Sequence, residues 1–459
     1  MTTSVEREEF RLAGSWWLPS KPEEVFDGTI ERDGNGVSTL TFQTHLPEGW
    51  DDGVILNGIA GGEEFSVFDC WEMGGEYRQL GKPLVRMQGF GGLLRGCLVS
   101  SSGQRSFRAI SFRFDRLRDV VSQLAISTDK EEAADGSLGK VKHTWSQLNP
   151  MTAHAYGWNI SLVHVVSSQS AQRGQSVQLS NDPALSAASR TRVSSSLDEL
   201  LEHERPLRDL VSLLSRHPVR TEGVLLTTNV ASGANPVVFL PGGAPLQGAA
   251  SEPRFRRPYS FIDRTEAEFE ALIRTWYRFH RTYSTPVALR FAGRYAPHTY
   301  SEVNFTTAVQ ALEAFNRRRF PASKDKESAR MREAVLKQLD GDELKWTKQR
   351  LAFAHELSQK KRLEQTLDFI GRKAVGQLVT NRAHLIKTVI ETRNLLTHWD
   401  PTRAPFDPEA AVALSSGLYL LGDFCFLRSI GWSKSKVWQL ALRDHDVQMA
   451  QHNLSNFGY

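Results

Sequence analysis

The chain of 459 residues is longer than a single hydrophobic core usually supports, so two or three domains are expected. A content of 40% hydrophobic, 24% charged and 10% aromatic residues excludes disordered, collagen-like and coiled-coil architectures over most of the length. The net charge is only +4 but unevenly spread: eleven acids face four bases over residues 1–52, and sixteen bases face nine acids over residues 317–373, a surplus that attracts a polyanion or forms a solvated helix surface.

No run of about 18 apolar residues is present, so no membrane span is expected. The start, MTTSVEREEF, is polar and acidic, unlike a secretory leader. Cys70, Cys97 and Cys425 are distant, odd in number and form no C-x-x-C. This argues against a disulfide framework or a cysteine-built zinc site and for a reducing cytoplasm.

Residues 1–285 are predicted to form a β-rich region. DGTIERDGNGVSTLTF holds two alternating runs around Asp33-Gly34-Asn35-Gly36, a hairpin signal. GVILNGIAGGEEFSVFDCWE and LVRMQGFGGLLRGCLVSS repeat short apolar runs broken by glycine pairs. Those pairs match no phosphate-binding loop and are expected as turns and bulges. SFRAISFRFD and WNISLVHVV alternate at period two, and many short strands between turns predict a sandwich or barrel-like sheet. Two stretches are expected as loops or hinges: the serine-rich Ser167–Ser196, and Asn229–Pro258, rich in Gly, Ala, Pro and Ser. Between them SLDELLEHERPLRDLVSLLSRH has the pattern of a helix and TEGVLLTT that of a strand.

RTEAEFEALIRTWYRFHRTY is helical, with Phe269, Leu272, Ile273, Trp276 and His280 near one stripe. The domain division is placed near Thr285, with residues 286–459 forming an all-α bundle. SEVNFTTAVQALEAFNRRRF opens with Ser301 as an expected N-cap. DELKWTKQRLAFAHELSQKKRLEQTLDFIGRK is one long helical pattern or two helices, and NRAHLIKTVIETRNLL is another. DPEAAVALSSGLYLLGDFCFLRSIGW closes the set, with Pro408 in the first turn and Gly431 as the stop.

ETRNLLTHWD contains Arg393, Asn394 and His398. The R-x-x-x-x-H spacing means little alone: 40 arginines and 13 histidines in 459 residues give about one chance match. A second match, Arg350 to His355, is followed by Glu356, an expected ion-pair partner, and has the look of structure. Asn394 and His398 share a helix face. Arg393 lies roughly 140° round from His398, within reach only through its long side chain. Leu395 and Leu396 are expected to point into the bundle, and Asp400-Pro401 to end the helix just after His398. A polar helix face accounts for the same residues without chemistry.

The R-N-x-x-x-H of a late helix, the earlier ALEAF helix and the closing apolar helix ending FLRSIGW resemble a HEPN domain, and more narrowly that of ApeA-type bacterial anti-phage proteins. GSWWLPSKPEEVFDGTIERDGNGVSTLTF and ILNGI are similar to the ApeA N-terminal domain. The resemblance implies metal-independent endoribonuclease activity without a cofactor, with Arg393, Asn394 and His398 as catalytic residues. It also implies a homodimer through the HEPN domain, since these domains pair to line one cleft. Glu313 lies where some HEPN domains carry an acid. Asp400 occupies the position where several HEPN toxins carry a modified tyrosine, so such a toggle is not expected. The acidic front region suits sensing of a phage-derived trigger or restraint of the bundle.

The residue types suit that chemistry: His398 would move protons near neutrality, and Arg393 would offer a charged fork to phosphate oxygens. The alternative is a non-catalytic HEPN module that binds nucleic acid or protein, or a phage sensor acting through a partner. RTWYRFHRTY and FNRRRF mix basic and aromatic residues in the manner such binding would use. A metal-dependent enzyme is disfavoured, because no H-E-x-x-H, supported D-x-D or Cys/His cluster is present.

Overall fold

The structure, a computed structural model, describes residues 9–34, 36–45, 50, 53–76, 83–99, 106–123, 125–132, 138–170, 177–228, 237–241, 257–263, 265–296, 299–321, 323–398 and 407–459. A β-rich region is followed by a helical one. The chain divides into two compact units, Met1–Arg274 and Thr275–Tyr459.

The first unit opens with β1 (Phe10–Leu18), β2 (Lys21–Arg32), β3 (Ser38–Phe42), β4 (Val54–Ala60), β5 (Glu63–Glu76) and β6 (Leu84–Arg95). Their pairing closes on itself: β1 bonds to β2 and β4, β2 to β3, β3 to β6, β6 to β5, and β5 to β4, all antiparallel. The result is a six-stranded barrel. Period-two alternation puts Leu40 and Phe42 inside with Trp16, Ile30, Phe65 and Val67. Asp33 forms the β2–β3 turn, accepting from Val37 N through its side chain at 2.8 Å, while Gly36 takes φ +81°. Gly92 in β6 sits at φ +110°, where a Cβ would come within 2.8 Å of the Phe239 ring. Only glycine suits both constraints.

A second sheet region grows from β6. It comprises β7 (Ser106–Phe107), β8 (Ala109–Phe114), β9 (Ile126–Glu132), β10 (Leu138–Trp145), β11 (Met151–Ala155), β12 (Trp158–Ser170), β13 (Val177–Ser189), β14 (Ser195–Ser196), β15 (Thr221–Thr227) and β16 (Val237–Leu240). The order β11-β12-β13-β8-β15-β16 joins the barrel through β16–β6, while β9–β10 and β7–β14 pair separately. Ser167–Ser196, expected as a loop, is mostly strand: β12 and β13 pair from Trp158↔Ser189 out to Ser170↔Val177. Serine-rich composition hid a ladder fixed by cross-strand partners, which strand propensity reports poorly. In the second expected loop, Val237–Leu240 is β16, buried at Val237, Phe239 and Leu240. Residues 229–236 and 242–256 of that loop lie outside the described residues.

The two predicted elements between those stretches form as α1 (Leu197–Leu201), α2 (Glu204–Ser215) and β15. Ser196 and Glu199 cap α1 reciprocally, and α2 buries Leu207, Leu210, Val211 and Leu214.

The helical region runs α3 (Glu266–Thr282), α4 (Ser284–Tyr295), α5 (Ser301–Arg319), α6 (Lys326–Leu336), α7 (Gly341–Arg350), α8 (Gln359–Ile370), α9 (Arg372–Leu378), α10 (Arg382–His398), α11 (Pro408–Ser429), α12 (Lys434–Arg443) and α13 (His445–Ser455). The change of unit falls inside α3, and Thr285 lies at the start of α4. On α3, Phe269, Ile273 and Trp276 are buried, as the stripe predicts. Ser301 is the first helical residue of α5 rather than its cap; Tyr300 holds the cap position and gives no side-chain bond. The long pattern after Asp342 breaks at residues 351–358 and again at Gly371, and α12 and α13 follow the helix expected to be last.

α11 is the spine. Asp407 caps it, Pro408 opens it, and Gly431, at φ +106°, follows its end. It is long and apolar enough to cross a membrane by length and composition, yet 72% of its most apolar window is buried inside the protein. Leu414, Leu418, Leu421 and Phe424 are covered by neighbouring helices, the behaviour of a core helix. All three cysteines are free and buried, and burial pushes the Cys70 and Cys425 thiols up.

Candidate active site

α10 is pinned at its start. Asn381 Oδ1 accepts from His384 N at 3.0 Å. Arg382 donates to Asp368 at 2.6 Å and to the Glu364 carbonyl at 2.7 Å, tying the helix to α8. The Arg382 hydrogen bond holds the Asp368 carboxyl below its usual range. Leu385, Ile386 and Val389 are buried where α10 packs on α5 and α8.

The last two turns differ. Thr392, Arg393, Asn394, Leu395 and Leu396 are all half-buried, and Thr397 is exposed. Leu395 and Leu396 therefore do not enter the core as expected; the buried face ends at Val389. Arg393 Nη1 donates to Asn394 Oδ1 at 3.3 Å, and Thr397 Oγ1 donates to the Arg393 carbonyl at 2.7 Å. Among the described residues the half-buried Arg393 guanidinium has no carboxylate partner.

The described part of α10 runs to His398; the His398 side chain, Trp399 and Asp400-Pro401, and with them the expected helix end, lie outside the described residues. The structure thus joins Arg393 to Asn394 and places His398 one turn beyond Asn394 along the helix. Glu313 is half-buried on α5.

The other R-x-x-x-x-H pair is split by the fold. Arg350 ends α7 and lies over the Trp346 ring at 5.5 Å, whereas His355 falls in the connection to α8. Glu356 pairs with Arg317 at 2.9 Å and Arg362 at 2.5 Å, not with His355 as expected. Among the described residues no group of three or more His, Cys, Asp or Glu is placed to hold a metal ion.

Sequence reasoning missed a buried ionic cluster. Asp423 on α11 receives Arg290 at 2.8 Å and Arg294 at 2.9 Å, both from α4. The Arg290 guanidinium also lies over the Tyr419 ring at 4.8 Å. The available signal was the acid itself, a lone carboxylate inside the apolar run LYLLGDFCFL, which needs a cation once buried.

A family model described as ApeA N-terminal domain 1 matches residues 11–276, and one described as Apea-like HEPN matches residues 306–436. The second span contains all of α10. No curated protein and no solved structure matches the chain.

Proposed function

The chain belongs to the ApeA family of HEPN-domain proteins, and from that premise we propose that its helical unit is a metal-independent endoribonuclease acting in anti-phage defence. The observation that carries this reading is the Arg393 guanidinium, bonded to Asn394 and without a carboxylate partner among the described residues, on a half-buried stretch of the helix that carries His398 one turn beyond Asn394.

In the reaction, the ribose 2′-oxygen attacks the adjacent phosphorus. A base takes the 2′-hydroxyl proton, an acid protonates the departing 5′-oxygen, and a 2′,3′-cyclic phosphate and a 5′-hydroxyl remain. His398 supplies proton transfer, since imidazole titrates nearest neutrality. Arg393 neutralises the phosphoryl oxygens with a fork of donors. Asn394 orients the fork.

One imidazole does not serve easily as base and acid in a single step, so the active form is a homodimer in which two α10 ends line one cleft. The part-buried Leu395 and Leu396 support this, because they leave apolar surface beside Arg393 for a second copy to cover. The β-rich unit senses a phage-derived trigger or restrains the nuclease. The place of action is the cytoplasm, which the three free cysteines suit.

The test is purified protein, RNA and EDTA, with wild type, Arg393→Ala and His398→Ala compared. Cleavage by wild type alone supports the nuclease. RNA that is retarded but uncut by all three marks a binding module instead.

A further inference from the structure

The basic segment that begins at Arg317 folds so that its two ends meet. Backbone pairing joins Lys324 to Glu356, and Asp325 N donates to the His355 carbonyl at 2.9 Å. Where these strands of chain meet the end of α5 and the start of α8 there is a cavity of about 260 Å³. Arg317, Lys324, His355, Glu356 and Arg362 line it, with Phe320 as an apolar wall.

Three cations therefore face one carboxylate. Glu356 is engaged by Arg317 and Arg362. Among the described residues the Lys324 ammonium and the His355 imidazole have no hydrogen-bond or ion-pair partner, although both line the cavity.

A basic cluster on a helix surface is usually a solvated face. Here the floor is built instead of open. Arg362 is 6% exposed and donates to the Leu357 carbonyl at 2.8 Å as well as to Glu356. Asn316 is 3% exposed and donates to the Arg362 carbonyl at 3.0 Å. These bonds fix Arg362 and Glu356 in the cavity floor before any ligand arrives, which reduces the entropy cost of building the site. The volume is just below that of drug-sized ligand pockets, which run from about 300 Å³ upward, and suits a smaller group such as a phosphate.

We propose that this cavity is a phosphate-binding site, in which Lys324, Arg317 and His355 hold a phosphate group of RNA or of a free nucleotide. No residue of α10 lines it, so the site is separate from the one proposed for cleavage. It makes use of His355 from the second R-x-x-x-x-H stretch, which the nuclease reading leaves unused.

Binding is measured calorimetrically on the full chain carrying His398→Ala, so that no RNA is cut and the result does not depend on the nuclease reading. The probes are inorganic phosphate, a nucleoside 5′-monophosphate and a short single-stranded RNA. Adding Arg317→Ala with Lys324→Ala is expected to weaken at least one phosphate-bearing probe tenfold or more. If the ligand is the RNA backbone, the RNA affinity falls and its dependence on log salt flattens by about 1.4, roughly 0.7 for each lost contact. If it is a free nucleotide, the monophosphate weakens and the RNA does not. Lys324→Gln alone, which removes no side-chain bond among the described residues, is expected to weaken the same probe severalfold and guards against misfolding of the double variant. Equal affinities for all three probes with and without these substitutions overturn the proposal, whether or not the chain cuts RNA.

Discussion

Arg393 and Asn394, adjacent on α10, are joined by a hydrogen bond of 3.3 Å from the guanidinium to the amide oxygen. The bond restricts a long side chain that no carboxylate among the described residues holds. Loss of a preorganised donor usually costs about 10²–10³ in rate, and that is the drop in kcat expected for Arg393→Ala. Arg393→Lys keeps the charge without the fork and recovers only part of the activity. Asn394→Ala lies between, at a loss of about tenfold, one hydrogen bond's worth of orientation. Because Arg393 is half-buried, melting temperatures should hardly move, and a large fall would point to a structural role instead.

His398→Ala is expected to cost about 10²–10⁴ in rate, the usual range for positioned acid–base catalysis. The reaction needs the 2′-hydroxyl. An RNA with one 2′-deoxy residue at the mapped cleavage position should resist cutting there while its other sites are cut normally. Efficient cleavage of an all-DNA strand is incompatible with the proposed chemistry.

Asp423 holds Arg290 and Arg294 in the interior of the helical unit. Asp423→Ala removes the carboxylate that both guanidinium groups bond and leaves that of Arg290 buried without it. Breaking a buried pair in this way costs about 3–5 kcal/mol, to be read as a lower chemical-denaturation midpoint. A variant as stable as wild type would show that other partners or water satisfy the two arginines.

Gly58 in β4 pairs with Trp16 in β1. A Cβ there would lie 2.3 Å from Trp16 Cε3, and Trp16 is fully buried in the barrel. Gly58→Val therefore displaces the indole and is expected to destabilise the β-rich unit by about 1–3 kcal/mol. Tryptophan fluorescence and thermal unfolding report both effects.

Burial depresses the His203 imidazole from 6.5 to about 4, and the Trp158 ring packs edge-on at 4.3 Å. The folded chain binds this proton less readily than the unfolded chain. The stability linked to His203 is thus complete above pH 6.5 and is lost as pH falls through 6.5 toward 4. The loss amounts to about 3 kcal/mol at most. His203→Phe should flatten the decline between neutral pH and about pH 5, and parallel curves for both proteins would refute this origin.

Much of the architecture was legible in local pattern. The turn at Asp33–Gly36, the stripe of Phe269, Ile273 and Trp276, and the ends of α11 at Pro408 and Gly431 all follow from backbone preferences within a few residues. Ser167–Ser189 did not, because serine has no strong preference and its strand pairing depends on partners distant in sequence, such as Ile110 and Phe112 in β8. At the candidate site the sequence supplied the residue types and their place on one helix.

The sequence by itself determined the chemistry on offer, a charged fork, an amide and an imidazole within six residues, because those depend only on side-chain identity and helical spacing. Tertiary structure decided which charges meet a carboxylate. Asp423 consumes Arg290 and Arg294, and Glu356 engages Arg317 and Arg362, while Arg393 keeps its charge without a carboxylate among the described residues. Pairing of that kind depends on which helices pack together, so no local pattern contains it.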